Sequence, residues 1–271
     1  MAKGSKKRQS KRTPGAQITT YWDRVQWPLQ SLLFLLPLLV IYELGTFFYS
    51  PATLDRLPPI YAESLLRDFF ELFGVTSYHL PAIAVVVVLF SWHLARRDPW
   101  KPEPRLWGVM ALESFALALP LFVFMLVLFR QPSFNAAAAS PAGAALGPEI
   151  HNWQSGVVIA IGAGIYEELV FRLIAIALLH LVLVDLFTLP QSYGAPLTVV
   201  LSALAFSLYH FDLGGGSAML SWSSAEWSRF AFYMLAGIYL AVVYMLRGFG
   251  IAAGAHAFYD VMLVTMLFMR E

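Results

Sequence analysis

There is no cysteine anywhere in the 271 residues. Disulfides, a thiol nucleophile and thiolate metal sites are therefore excluded. Charge is scarce as well. Asp, Glu, Lys and Arg make up 13% of the chain, where a soluble domain carries about a quarter. Residues 1–13 contain no acid at all, yet they hold Lys3, Lys6, Lys7, Arg8, Lys11 and Arg12. No internal repeat is visible, and no polar segment is long enough to stand as a soluble domain. Apolar residues fill the remainder, at 59% of the chain, with a mean hydropathy of +0.65. These balances exclude an ordinary soluble globule. They indicate an all-α polytopic membrane protein.

The basic stretch opens a polar tail, residues 1–20, expected to be disordered. Beside a membrane, such a tail is an orientation signal and places the N-terminus in the cytoplasm. Nucleic-acid binding is the weaker explanation, and no nucleic acid is expected as a partner. The first apolar run, Leu29–Tyr49, is too long for a signal-peptide core and lacks a small-residue cleavage pattern. It reads as a retained first span of the ~20 residues needed to cross.

Further spans are expected over Leu80–Leu94, Trp107–Phe129, Gly156–Val184, Ala195–Phe211, Phe230–Leu246 and Ile251–Met269. That makes a bundle of about seven transmembrane helices, with six to eight compatible with the pattern. Seven would put the C-terminus opposite the N-terminus. The stretch Pro51–Pro59 breaks the first helix. Residues 60–73 follow with Leu65, Leu66, Phe69, Phe70 and Phe73 on one face. Glu63, Ser64, Arg67, Asp68 and Glu71 lie on the other, as in a helix lying in the interface. Residues 131–154 read as an irregular exoplasmic loop and Asp212–Ser217 as a flexible one. Residues 218–229, with Trp222 and Trp227, read as an interfacial stretch. Residues 21–271 thus form one transmembrane helical domain.

The fourth span contains a costly feature. Ile161-Gly-Ala-Gly-Ile-Tyr-Glu-Glu-Leu-Val-Phe-Arg172 puts Glu167, Glu168 and Arg172 inside an apolar run. Each charge at that depth costs ~2.5–3.5 kcal/mol on insertion scales, and is normally kept only when paired and facing the bundle interior. Glu168 and Arg172 are four residues apart and can pair on one helical face. Glu167 points about 100° away and is left free. Two other spans carry polar residues one turn apart. Phe206 and His210 stand in the fifth, and His256 and Asp260 in the seventh. Small residues in Gly250–Ala255, and Gly156, Ala160, Gly162 and Gly164, let those helices approach closely.

A free carboxylate near a histidine can hold and deprotonate a water. A second histidine with a polar neighbour can stabilise an oxyanion. Together these suffice to hydrolyse an amide. No Ser/His/acid set has comparable spacing. Zinc could be held by Glu167, His210 and His256, although the His-Glu-x-x-His pattern of zinc proteases is missing.

Taken together, Glu167-Glu168-x-x-x-Arg172, Phe206-x-x-x-His210 and His256-x-x-x-Asp260 resemble the three ordered motifs of the CPBP family. These are the CAAX-processing and bacteriocin-processing intramembrane proteases, related to the type II CAAX prenyl endopeptidase. The match covers about residues 156–262. It implies a helical intramembrane protease in which Glu167 and His210 activate water. Glu168 and Arg172 would shape and charge-balance the site, and His256 with residue 260 would stabilise the oxyanion. The prenyl endopeptidase has Asn where this chain has Asp260. Asn donates to an oxyanion, but an ionised Asp does not. Asp260 must therefore be protonated, orient His256 or ligate a metal.

Other polar residues have plainer explanations. Glu43 and Glu113 have no basic partner on their own helices and read as capping or snorkelling side chains. His180 and Asp185 sit toward the end of the fourth span, and His79, His93 and His151 at span edges. The expected protein is an endopeptidase in a bilayer, acting on a membrane-associated or lipidated peptide. The alternative is a non-proteolytic scaffold or bacteriocin-immunity-type protein. A proton-relay transporter is disfavoured by the lack of repeats. The basic tail and compact length point to a bacterial plasma membrane.

Overall fold

The computed structural model describes residues 20–48, 60–128, 152–211 and 222–269. The basic tail through residue 19, the break at Pro51–Pro59, residues 131–151 of the expected exoplasmic loop and the Asp212–Ser217 loop lie outside the described residues. Within them every regular element is helical. After a single turn at Tyr21–Arg24 come α1 (Pro28–Phe48), α2 (Tyr61–Glu71), α3 (Leu80–Arg96) and α4 (Pro104–Leu128). A long composite helix, α5, runs from Trp153 to Leu186. Then follow α6 (Gln191–Tyr209), α7 (Ser224–Arg247) and α8 (Phe249–Phe268). Among the described residues, six of these are long and apolar enough to cross a membrane, and α3 is a shorter apolar helix. The chain is an integral, multi-pass membrane protein with an all-α fold.

Several expected boundaries move. Helix α5 is 34 residues long, well beyond the ~20 that a span needs. It is not uniformly α-helical. Leu169–Ile174 and Leu181–Leu186 are π-helical turns. The sequence reading assumed a 3.6-residue repeat throughout. The wider turn starts one residue after Glu168, and such bulges recur at functional sites. Helix α6 ends at Tyr209, so His210 caps the fifth span rather than lying inside it. Helix α7 starts at Ser224, capped by Ser223 and Glu226 in a capping box. Trp227 therefore stands in the first turn of this helix.

Helix α8 is the centre of the bundle. It packs most extensively on α5 and α4, and also touches α1 and α7. The cause is its side chains. Every residue from Phe249 to Ala257 is buried, because most are Gly or Ala and let neighbours close in on all sides. The closest approach is at Gly164 of α5. A Cβ there would lie 2.7 Å from Ala257 Cα. Gly254 meets Ser114 of α4 in the same way, with a Cβ 2.6 Å from its Oγ. Between α7 and α8 the chain reverses through Gly248 alone. Its φ of +87° is open to glycine without a Cβ penalty.

Gly164→Val is therefore expected to force α5 and α8 apart. Overpacking of this kind costs about 1–3 kcal/mol. A lower thermal midpoint of the detergent-solubilised protein would report it. An unchanged midpoint would mean the helices do not depend on this approach.

The outer faces of the bundle carry the remaining bulk. Phe47, Phe48, Leu112, Val123 and Leu246 are all exposed, as surfaces that meet lipid chains are. In α2, Leu66 and Ala62 face the bundle while Leu65 and Phe69, and Phe73 just after the helix, face outward. Glu63 takes a hydrogen bond from Tyr42 of α1 and pairs with Arg67 at 2.7 Å. The polar face of α2 thus partly docks on the protein, and its outward apolar face fits an interfacial position.

Candidate active site

The motif residues sit on α5, at the end of α6 and on α8. Glu167 and Glu168 close the α-helical part of α5. Glu168 and Arg172 have no exposed surface. Arg172 Nε stands 3.1 Å from Glu168 Oε2. The two form a contact ion pair without hydrogen-bond alignment, since none of the three guanidinium nitrogens has a hydrogen-bond partner among the described residues. Phe206 of α6 supplies a second support, with Arg172 Cζ 4.2 Å from its ring centroid. That is a cation–π contact in a dry setting.

The other oxygen of Glu168 reaches α8. His256 Nδ1 lies 2.8 Å from Glu168 Oε1. Because a carboxylate accepts, His256 donates there. Its Nε2 then faces two further carboxylates, Glu167 Oε2 at 3.8 Å and Asp260 Oδ2 at 3.5 Å. Glu168 therefore joins Arg172 and His256 in one buried cluster, which couples α5 to α8.

His210 enters from α6. Its Nδ1 lies 2.8 Å from the Phe206 carbonyl oxygen. A carbonyl only accepts, so Nδ1 carries the proton. In a neutral ring Nε2 is then a free acceptor. That nitrogen lies 3.9 Å from Glu167 Oε2. One oxygen of Glu167 is thus faced by Nε2 of both histidines. Neither separation is a direct hydrogen bond. Both are the length that a bridging water spans. Glu167, Glu168, Arg172, His210, His256 and Asp260 are all brought together, as the sequence reading expected.

Three neighbours escaped that reading. Tyr233 of α7 stacks on His210, with ring centroids 3.9 Å apart at 17°. Tyr209 packs against Phe171 and His210, and its hydroxyl accepts from the Ala62 amide at 2.7 Å. This ties α2 to the same region. Arg229 of α7 is buried against Phe211. The spacing of Arg229 and Tyr233, four residues on one helix, was a usable signal. It went unused because the sixth span was started at Phe230.

The acids set aside as capping or snorkelling are corrected. Glu113 of α4 takes hydrogen bonds from Tyr21 and from Arg247 at the end of α7, with Arg247 Nη2 at 2.7 Å. Arg247 is also stacked on Trp22, 3.6 Å from its ring centroid. The pairing joins helices remote in sequence, so a search along one helix could not find it. Burial and the adjacent Glu113 carboxylate push the Tyr21 phenol up from its ordinary range. Glu43 pairs with His79 across α1 and the start of α3. His93 is no edge residue but buried, with its ring edge-on to Trp100 at 4.5 Å. His180 and Asp185 are exposed, as expected.

A polytopic helical membrane protein with a buried carboxylate–histidine cluster is the class that this fold and site define. Residues 149–262 match the family model described as Type II CAAX prenyl endopeptidase Rce1-like. That match bears out the resemblance carried by the three motifs. All six motif residues lie inside it. The general activity this supports is CAAX-type intramembrane endopeptidase. Compared with curated proteins and with solved structures, the chain matches none.

The zinc reading of Glu167, His210 and His256 does not fit the donors. Among the described residues no group of three or more His, Asp or Glu side chains is arranged to hold a metal ion.

Proposed function

We propose that this protein is an intramembrane endopeptidase that hydrolyses a peptide bond of a membrane-associated substrate, with Glu167 as general base. The observation that carries the reading is the single Glu167 oxygen facing Nε2 of both histidines, at 3.9 and 3.8 Å. A water held between Glu167 and His210 is polarised by both acceptors. Its oxygen attacks the scissile carbonyl carbon while Glu167 takes its proton. The tetrahedral oxyanion accepts a hydrogen bond from Nε2–H of His256. Glu167 then passes the proton to the leaving nitrogen, and the C–N bond breaks. The products are a carboxylic acid, which gives its remaining proton to the amine, and that amine as its ammonium form.

Glu168, Asp260 and Arg172 act through their neighbours. The Glu168 bond at Nδ1 and Asp260 beside Nε2 orient the His256 ring toward the oxyanion. This gives Asp260 a task that needs no donation of its own. It orients and charge-balances His256. The catalytic core would then span about residues 156–262. The substrate class is a peptide, lipidated in the archetype that the family's name describes, and the setting is a bacterial plasma membrane with a cytoplasmic N-terminus.

His210→Ala tests the reading. Cleavage of a prenylated peptide by the purified chain in proteoliposomes is expected to fall by about 10²–10⁴-fold, the range for loss of an acid–base partner. Membrane insertion should be unchanged. Cleavage at the parental rate would refute the water-activating role. Exhaustive chelation is expected to leave the parental rate intact, and a rate restored only by zinc would overturn the glutamate mechanism.

A further inference from the structure

Arg229 is the buried cation that the proposed chemistry does not use. Only 4% of its surface is exposed. Its Nη1 is buried with no hydrogen-bond partner among the described residues. No carboxylate among them pairs with it. Glu226, three residues earlier, accepts through Oε2 at 2.7 Å from the Ser223 amide and at 2.8 Å from its hydroxyl, and acts on Arg229 only at longer range than an ion pair. The guanidinium lies on the Phe211 ring, 5.1 Å from its centroid. On its other side it meets the Tyr233 hydroxyl. Tyr233 is the ring stacked on His210. A cation with no ion-pair partner among the described residues is thus held one side chain away from the water-activating histidine.

We propose that Arg229 receives the terminal carboxylate of the peptide that enters this site. The inference rests on the endopeptidase reading above. An unpaired charge in a dry interior is costly, so it is retained where a counter-charge arrives. A guanidinium backed by an aromatic ring leaves its edge nitrogens free for a planar carboxylate. An apolar peptide brings one obligatory anion into the membrane, its own C-terminus. Pairing that anion with Arg229 removes the charge from lipid and sets the distance from the chain end to the bond over Glu167. Arg229 is a specificity-determining residue, reading where the peptide stops.

The test uses the full chain in phosphatidylcholine nanodiscs and two probes: an S-prenylated peptide free of acidic side chains, and its C-terminal amide. Binding is measured in a Glu167→Gln background by fluorescence of a dansyl label, and cleavage with Glu167 intact. The acid is expected to bind about 10-fold or more tightly than the amide, as a hydrogen-bonded charge pair would give. Arg229→Gln should collapse that preference to near unity, and Arg229→Lys should keep part of it. Equal binding of the two probes overturns the proposal, as does a preference that survives Arg229→Gln. A preference abolished by phosphatidylglycerol assigns the cation to a lipid phosphate, which also overturns it. A chain that prefers the acid but cleaves neither probe refutes the endopeptidase reading and leaves this one standing.

Discussion

Glu167→Gln is expected to reduce cleavage by about 10²–10⁴-fold or more while leaving the protein folded. The amide has nearly the shape of the carboxylate but takes no proton from water. Its neighbours are His210 and His256, at 3.9 and 3.8 Å, and the Tyr209 hydroxyl, whose donated hydrogen bond the amide oxygen still accepts. Removing a largely buried charge also relieves a desolvation penalty. The thermal midpoint should therefore hold or rise while kcat falls. Initial rates in proteoliposomes, with thermal unfolding of the same samples, check both halves. A Gln variant within tenfold of the parental rate would sink the assignment of Glu167 as base.

The neighbouring glutamate should behave in the opposite way. Glu168→Ala is expected to destabilise the protein by about 3–5 kcal/mol, the range for breaking a buried pair. Arg172 would be left with no exposed surface and without the carboxylate 3.1 Å away. His256 would lose its acceptor at Nδ1. Activity should fall too, but together with stability. Glu168→Ala combined with Arg172→Met should recover part of the stability, because the stranded cation is gone, and should not recover cleavage. Denaturation in detergent of both variants decides this. A single mutant as stable as the parent would mean that the pair does not hold the site together. Two adjacent glutamates thus separate into one that changes rate and one that changes stability.

How much of this was legible follows from the kind of interaction involved. Hydropathy counted the spans well, since crossing a bilayer demands runs of apolar residues whatever the packing. The i,i+4 pairs Glu168–Arg172 and His256–Asp260 were legible because both partners share one helix. Small residues at Gly164 and along Gly250–Ala255 signalled close approach, and the Gly164–Ala257 contact bears that out. The pairing of Glu113 with Arg247 was hidden, since 134 residues separate the partners. Tyr233 on His210 and the link from Tyr209 to Ala62 were hidden for the same reason. The π-helical turn after Glu168 has no proline or glycine to announce it within Leu169–Ile174.

By itself, then, the sequence determined a multi-pass helical protein, the three motifs and the helices that carry them. Those properties depend on composition and on spacing along one chain segment. Only the tertiary structure decided that the paired carboxylate also holds His256 and that the free one faces two histidines. Glu168, already paired with Arg172 on its own helix, reaches His256 because α5 and α8 meet through glycine and alanine, with no side chain to hold them apart. That same approach leaves Glu167 facing two histidine nitrogens across gaps that one water spans.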